Sequence, residues 1–351
     1  MKSDATDPSV STESPASLLG QALGPVQREL EQVSQRMEDA LKDPLARRVV
    51  YLIAAGGKRL RPALVLLTGL AGPSPRREAL IDAAAAVELI HTATLIHDDI
   101  IDLSTLRRQQ PTFHARWGTE RAVLTGDYLY ATAFALLARL RDPDVVQIMA
   151  DVCQELSRGE LHEVEARHRL DLSESEYFAI IRDKTASLTG ACCRIGSVLG
   201  GSNSETVERW GAFGINVGIA FQIIDDCLDL TGDPQQLGKS VHSDLDKGTL
   251  SLPMIYLAQQ LSQEERARLF GPVGRDNKQS AGDSAVAQPA FDAAMLARVA
   301  AVAQASGAVD QARQRALSLI DEAAGSIDAA QSGPLALAMR ALAAYAVTRR
   351  N

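Results

Sequence analysis

The chain has 351 residues and a formal net charge of -8, and its composition is 46% hydrophobic and 23% charged. These values are typical of a soluble globular protein, and the acidic balance argues against binding to nucleic acid or to an anionic membrane surface. The four cysteines show neither CxxC spacing nor a small disulfide framework, so we expect reduced thiols and a cytoplasmic location.

The N-terminal segment is polar. Residues 1–20 are rich in Ser, Thr, Pro and Asp, which predicts a disordered extension, and residues 21–351 are predicted to form one large domain. The segment lacks the hydrophobic core of a secretion signal, and no run of 18 uninterrupted apolar residues occurs in the sequence. We therefore predict no transmembrane helix.

Apolar residues recur at spacings of three and four along most of the chain, a pattern that predicts helices. A first helix is predicted from Pro25, because Val26 and Leu30 begin such a series. The later predicted helices cover residues 45–55, 62–71, 77–103, 120–140, 144–167, 174–200, 204–231, 251–261, 290–305, 307–328 and 334–349. Residues 272–289 are of low complexity and predict a mobile surface loop. Sustained β alternation is absent, so the predicted fold class is all-α.

Two aspartate motifs share the pattern D-D-x-x-D, at residues 98–102 and 225–229. Side chains four positions apart lie on one face of a helix, about 6 Å apart along its axis, so Asp98 pairs with Asp102 and Asp225 with Asp229. A solvated acidic face would explain one such motif, but both are embedded in apolar residues. Paired carboxylates with open positions for water and phosphate suit Mg²⁺, whereas an EF-hand turn and a zinc quartet are absent.

Basic residues cluster near the first motif. "GGKRLRP" (56–62) places Lys58 and Arg61 near the start of a predicted helix, where backbone N–H groups favour anions. Arg107 and Arg108 follow Asp102, and an arginine fork can bind phosphate oxygens in pairs. Each cluster alone could be an exposed basic turn, but together with the aspartate motifs they indicate a ligand with more than one phosphate. Nucleotide-binding glycine motifs are absent, so we expect a diphosphate that is not a nucleotide.

The sequence resembles the trans-isoprenyl diphosphate synthases over residues 24–350. The stretches that carry the resemblance are "GGKRLRP", "HTATLIHDDIID", "LRR", "GDYL", "KTA", "GIAFQIIDDCLDLTGD" and "LGKSVHSDL", in this order. The resemblance implies a single large helical bundle around a central cavity, across which the aspartate motifs face each other, and a homodimer. It also implies an enzyme that condenses isopentenyl diphosphate head to tail with an allylic diphosphate.

The resemblance further implies a role for each matching residue. Asp98 and Asp102 would bind two Mg²⁺ ions and Asp225 a third. The allylic diphosphate would be held by Arg107, Lys184 and Lys239. Isopentenyl diphosphate would be held by Lys58, Arg61, His91 and Arg108. Thr185 and Gln222 would line the reacting centre.

Two of these assignments have alternatives. His91 could be a core histidine, but it lies close to two helical turns before Asp98 and therefore shares its face. The lysine that often follows the glycine at Gly248 is missing, and Lys247 is a candidate replacement. The chain also has Gln109, Gln110 and His242 where the family often has other residues.

Product length is predicted from Ala93 and Thr94, which precede the first motif by five and four positions. Short-chain members often have an aromatic residue there, so two small residues favour a long-chain product of the kind used in quinone side chains. A tightly packed helix is the other explanation, and a farnesyl or geranylgeranyl product is the alternative. A class I terpene cyclase is a rival, although it usually lacks the second D-D-x-x-D motif and the isopentenyl site. A silent subunit of a two-component synthase and a non-enzymatic metal scaffold are further alternatives.

Overall fold

The computed structural model describes residues 13–43, 47–54, 57–107, 109–232, 243–270, 293–327 and 333–349. The α-helices are α1 (Pro15–Leu23), α2 (Gln27–Ala40), α3 (Arg47–Ala54), α4 (Leu60–Leu70), α5 (Arg77–Ile101), α6 (Phe113–Trp117), α7 (Thr119–Arg139), α8 (Pro143–Ala166), α9 (Glu174–Ile181), α10 (Ser187–Leu199), α11 (Ser204–Thr231), α12 (Ser243–Asp246), α13 (Leu252–Gln260), α14 (Gln263–Phe270), α15 (Ala293–Ala305), α16 (Ala308–Ser326) and α17 (Pro334–Thr348). The predicted all-α fold is confirmed.

Three short elements complete the described structure. A 3-10 turn at Gly24–Val26 joins α1 to α2, and a π-helical turn at Arg182–Ala186 joins α9 to α10. The two-residue strands β1 (Leu106–Arg107) and β2 (Gln110–Pro111) pair antiparallel directly after α5.

One hydrophobic core connects the bundle, from α1 to α17. Helix α5 packs against α4 and α7, while α10 lies between α4 and α11, and α11 packs against α16. Helices α5 and α11 are long and apolar enough to cross a membrane, but 78% of the most apolar 18-residue segment of α5 and 67% of that of α11 are buried inside the bundle. Their apolar character is therefore that of core helices, and each carries one aspartate motif in its C-terminal half.

The N-terminal prediction was wrong for residues 15–20. Helix α1 begins at Pro15, with Ser14 as the cap that accepts a hydrogen bond from the backbone N–H of Ser17. Leu18 and Ala22 are buried, and α1 packs against α17. The composition suggested disorder, but Ser followed by Pro is a helix-start signal, and the apolar residues behind it find a partner helix. Residues 1–12 lie outside the described residues.

Most predicted helix boundaries lie within a few residues of those observed, and α11 spans the predicted 204–231. The predicted helix 174–200 is instead α9, the π-helical turn and α10, because the turn adds one residue to the helical register. Helix α14 was not predicted. The predicted loop 272–289 lies outside the described residues.

Candidate functional site

A cavity of about 1000 Å³ lies among α4, α5, α7, α8, α11 and the π-helical turn. Its volume is at the upper end of the range for ligand pockets. Ten of the predicted site residues line it: Lys58, Arg61, His91, Asp98, Asp102, Arg107, Lys184, Thr185, Gln222 and Asp225. Arg108 and Lys239 lie outside the described residues. Residues far apart in the sequence thus meet in one place.

The first aspartate motif forms the last turn of α5. The backbone N–H of Asp102 donates to the carbonyl oxygen of Asp98 at 2.8 Å, so the helical path continues to Asp102, and both side chains line the cavity. Asp99, which is 3% exposed, accepts hydrogen bonds from Nε and Nη2 of Arg107 at 2.9 and 2.8 Å. The buried carboxylate therefore anchors Arg107 beside the other two aspartates.

Asp98 is poorly hydrated for a carboxylate. Burial raises its pKa to about 7, an effect opposed by Lys184 and Arg107 and reinforced by Glu160 and Asp102. A nearby positive charge stabilises the ionised form of such a buried carboxylate more strongly than that of an exposed one. The cavity thus favours a cation at Asp98.

Asp102 contacts two basic side chains. Arg167 Nη2 lies 2.8 Å from its Oδ1, and Lys247 Nζ lies 2.9 Å from its Oδ2. The two basic residues reach Asp102 together because the backbone N–H of His168 donates to the carbonyl oxygen of Gly248 at 2.7 Å. Arg167 was not predicted, since it belongs to no motif.

The second aspartate motif divides between the cavity and the core. Asp225 lines the cavity, and its Oδ1 lies 2.7 Å from Nη1 of Arg349, whose guanidinium stacks 3.4 Å from the ring centroid of Phe221. Asp229 does not line the cavity; it is 2% exposed and accepts a hydrogen bond from the backbone N–H of Asp244 at 3.2 Å. The structure thus brings Asp225, but not Asp229, to the cavity lining.

The described residues contain no group of three or more His, Cys, Asp or Glu side chains that could by itself hold a metal ion. Each carboxylate of the cavity faces basic side chains instead. Positive and negative side chains therefore alternate around the cavity. This arrangement suits a ligand that combines anionic groups with bound cations.

Lys184 projects from the π-helical turn towards α8. A Cβ at Gly159 would lie 2.4 Å from the backbone nitrogen of Lys184, so only glycine lets the turn approach α8 this closely. Lys184 forms ion pairs with Glu163 and, at 2.8 Å, with Glu160. Burial alone would lower the pKa of Lys184, but Glu163, Glu160 and Asp98 raise it above its ordinary value, so the side chain is charged.

A chain of hydrogen bonds leads from Thr185 into the core. Thr185 Oγ1 donates to Gln222 Oε1 at 3.1 Å, and Gln222 Nε2 donates to Asp226 Oδ1 at 2.9 Å. Tyr177 donates its hydroxyl to Asp226 Oδ2 at 2.6 Å. Burial raises the pKa of Asp226. The chain fixes the orientation of the Gln222 amide, with its oxygen towards Thr185.

The basic residues of "GGKRLRP" lie at and just before the start of α4, and Lys58 and Arg61 line the cavity. Arg61 Nη1 lies 3.2 Å from His91 Nε2, and Lys58 Nζ lies 5.3 Å from the ring centroid of Tyr345. Arg61 Nε is buried without a hydrogen-bond partner. This donor is available for an anion.

The two residues predicted to set product length differ in position. Thr94 lines the cavity, whereas Ala93 is fully buried and does not line it. Thr94 is four residues before Asp98 and shares its face, while Ala93 is five residues before and turns into the core. Tyr130 of α7 also lines the cavity and stacks on His97 with ring centroids 6.2 Å apart. Tyr130 was not predicted, because spacing along α5 does not show which residues of α7 face the first aspartate motif.

Comparisons with known proteins show which family and which solved structures this chain resembles. The polyprenyl synthetase family model matches residues 42–288. The chain is 40% identical over 258 residues to heptaprenyl diphosphate synthase component 2 of Geobacillus stearothermophilus, covering 74% of this chain and 78% of the relative. It is 37% identical over 249 residues to a short chain isoprenyl diphosphate synthase of Methanothermobacter thermautotrophicus, covering 70% and 76%. The solved polyprenyl synthase from Caulobacter crescentus CB15, complexed with calcium and isoprenyl diphosphate, superposes with a TM-score of 0.86 and 31% identity, covering 95% of this chain and 98% of that one.

Proposed function

The chain belongs to the polyprenyl synthetase family and is an all-trans prenyl diphosphate synthase, and we propose that its cavity performs a Mg²⁺-dependent condensation. Isopentenyl diphosphate is added head to tail to an allylic diphosphate. The observation that carries this proposal is the convergence of both aspartate motifs and the basic residues of "GGKRLRP" on one cavity.

The donor set of the cavity fits Mg²⁺. Asp98, Asp102 and Asp225 offer oxygen ligands, and Mg²⁺ is commonly held by one or two carboxylates together with substrate phosphates and water. A preformed cluster of three carboxylates is therefore not needed. We assign two ions to Asp98 and Asp102 and a third to Asp225. The related Caulobacter structure is complexed with calcium, another cation that prefers oxygen ligands, which supports a dependence on divalent cations.

The two diphosphates take separate ends of the cavity. Arg107, Lys184 and Lys239 hold the allylic diphosphate, close to Asp98. Lys58, Arg61, His91 and Arg108 hold isopentenyl diphosphate at the start of α4. Holding both substrates in this order places the double bond of one next to the reacting carbon of the other.

The protein groups around the reacting carbon complete the mechanism. When bound, Mg²⁺ stabilises the negative charge that develops on the departing diphosphate. The oxygens of Thr185 and Gln222 face the allylic cation, with Gln222 oriented by Asp226. The apolar part of the lining keeps water from the cation. The proton leaves to the departing diphosphate, so the reaction requires no dedicated base.

An elongation assay tests the proposal. Purified protein is incubated with labelled isopentenyl diphosphate and an allylic diphosphate, with Mg²⁺ or with EDTA, and the products are resolved by chain length. Mg²⁺-dependent incorporation of label is expected. Products formed from the allylic diphosphate alone would favour a terpene cyclase, and a complete lack of turnover would favour a silent subunit.

The proposed product is long-chain. The small Thr94 in the lining and the volume of the cavity support a long tail, whereas Tyr130 in the same lining supports the alternative of a farnesyl or geranylgeranyl product. The relatives include both a heptaprenyl and a short chain enzyme. Analysis of the wild-type products by chain length decides between the two.

The proposed assembly is a cytoplasmic homodimer. Exposed apolar side chains on α7 and α8, namely Val123, Leu124, Tyr128, Leu161 and Val164, offer a surface for a second copy. The cytoplasmic location is proposed from the cysteine pattern of the sequence, which shows no disulfide framework. Light scattering on the purified protein measures the oligomeric state. A monomer that gains activity on adding a second component would instead match the "component 2" naming of the heptaprenyl relative.

A further inference from the structure

One basic residue of "GGKRLRP" has no role so far. Arg59 stands between Lys58 and Arg61, and its backbone is left-handed, with φ 51° and ψ 33°. Few residues other than glycine adopt this conformation, because the Cβ atom crowds the backbone. Arg59 is nevertheless the residue that precedes α4, and its carbonyl oxygen accepts the hydrogen bond from the N–H of Ala63 at 3.0 Å. The turn therefore sets the start of α4.

Contacts of the Arg59 side chain hold this turn. Arg59 Nη1 forms an ion pair with Glu88 Oε1 at 2.6 Å, and Nη2 donates to the carbonyl oxygen of Ile53 at 3.0 Å. The side chains of Arg59 and Glu88 are 18% and 9% exposed. A carboxylate buried to this extent requires a cationic partner, so the pair is costly to break.

The pair lies beside the cluster assigned to isopentenyl diphosphate. Glu88 is three residues before His91 on α5, and the two side chains therefore occupy neighbouring positions on one helix face. Helix α5 thus contacts the start of α4 at two points. Glu88 binds Arg59, and His91 contacts Arg61. The first contact fixes the turn on which Lys58 and Arg61 stand.

We propose that Arg59 and Glu88 are positioning residues, whose ion pair holds the turn before α4 in its left-handed conformation and so orients Lys58 and Arg61 towards isopentenyl diphosphate. The inference rests on the proposed assignment of Lys58 and Arg61 to that substrate. Arg59 acts through its neighbours and not by touching the diphosphate.

Two double variants separate positioning from direct binding. Arg59→Ala/Glu88→Gln and Arg59→Gly/Glu88→Gln both remove the ion pair without leaving a buried charge. They differ in that glycine adopts the left-handed conformation freely, whereas alanine does not. The alanine variant should raise KM for isopentenyl diphosphate about tenfold, equivalent to about 1.4 kcal/mol. The glycine variant should recover most of that loss, and kcat and the KM for the allylic substrate should change less than twofold.

The matched control is Glu29→Gln, which breaks another part-buried ion pair of 2.6 Å, between Arg77 and Glu29, away from the cavity lining. It should lower thermal stability without changing either KM. An equal rise in KM for isopentenyl diphosphate in the alanine and glycine variants would make Arg59 a direct ligand and overturn the proposal. An unchanged KM in both would overturn it as well.

Failure of the underlying function is recognised separately. If the wild type does not use isopentenyl diphosphate, the proposed function and this inference both fall. If the wild type elongates and Arg61→Ala raises KM for isopentenyl diphosphate, while the alanine and glycine variants behave like the wild type, only this inference falls.

Discussion

Replacing Asp98 with Asn should abolish turnover and, in EDTA at pH 8, make the protein more stable than the wild type. The reason is the raised pKa of Asp98, about 7 instead of 3.8, which burial causes. Between these two values the native carboxyl keeps a proton that the unfolded chain has released. The wild type therefore loses stability as the pH rises from about 4 to about 7, and the loss persists above pH 7.

The size of the effect follows from the shift. One pKa unit corresponds to about 1.36 kcal/mol, so a shift from 3.8 to about 7 sets a ceiling of about 4 kcal/mol. Asp98 is largely but not completely removed from solvent, and the remaining screening reduces the figure, so we expect about 1–3 kcal/mol at pH 8. Asn has the same shape and no charge. Lys184 keeps its ion pairs with Glu160 and Glu163 in the variant.

Urea denaturation in EDTA at pH 5 and pH 8 measures the free energy of unfolding of both proteins. The stability gain of Asp98→Asn should be larger at pH 8 than at pH 5. Asp321→Asn, which changes an exposed carboxylate on α16, serves as the control and should show no such difference. A variant that is less stable than the wild type at pH 8 would refute the electrostatic reasoning, and wild-type turnover at saturating Mg²⁺ would refute the metal assignment.

Three further changes test other parts of the site. Arg61→Ala should raise KM for isopentenyl diphosphate about ten- to a hundredfold, since one charged hydrogen bond contributes about 1.5–3 kcal/mol, and an equal rise for the allylic substrate would contradict the separation of the two sites. Asp225→Ala should abolish Mg²⁺-dependent turnover while circular dichroism shows an unchanged helical fold; retained activity would remove Asp225 from the metal site. Thr94→Phe should leave the enzyme active with shorter products, and an unchanged product would place the length determinant elsewhere. Ala93→Phe should instead lower the free energy of unfolding by about 1–3 kcal/mol through overpacking.

The positions of the predicted metal ligands could be read from local sequence patterns, because the residues of each pattern lie in a single helix whose geometry fixes their relative directions. Asp98 and Asp102 lie one turn apart in α5, and this spacing alone brings them to one face. The same spacing does not predict the surroundings of Asp229. It describes one isolated helix and carries no information about the start of α12, whose Asp244 backbone N–H contacts Asp229. Ala93 shows the same limit: its small side chain suggested an open tunnel, but the helix turns it into the core.

The basic partners of the carboxylates could not be predicted in this way. Arg167 and Lys247 are separated from Asp102 by 65 and 145 residues. Lys247 was considered only as a replacement for a lysine missing from the family pattern, and Arg167 belongs to no motif. Only the fold brings them there, since Arg167 directly follows α8, Lys247 follows α12, and the hydrogen bond from His168 to Gly248 joins these two segments. Glu160 and Glu163 were not predicted either, although two carboxylates three residues apart in the partly apolar α8 form a visible pattern.

The ion pairs between the aspartates of the first motif and basic side chains also explain why the fold is stable with three aspartates at the end of α5. A helix end that carries three aspartates in a mostly apolar setting is repulsive, and burying a carboxylate without a partner is costly. Arg107 and Arg167 approach Asp99 and Asp102 from two directions, and Lys184 lies near Asp98. Of these residues, Arg107 and Lys184 also line the cavity where a diphosphate would bind. Stability and substrate binding therefore depend on the same two cations, and neutralising either of them should affect both.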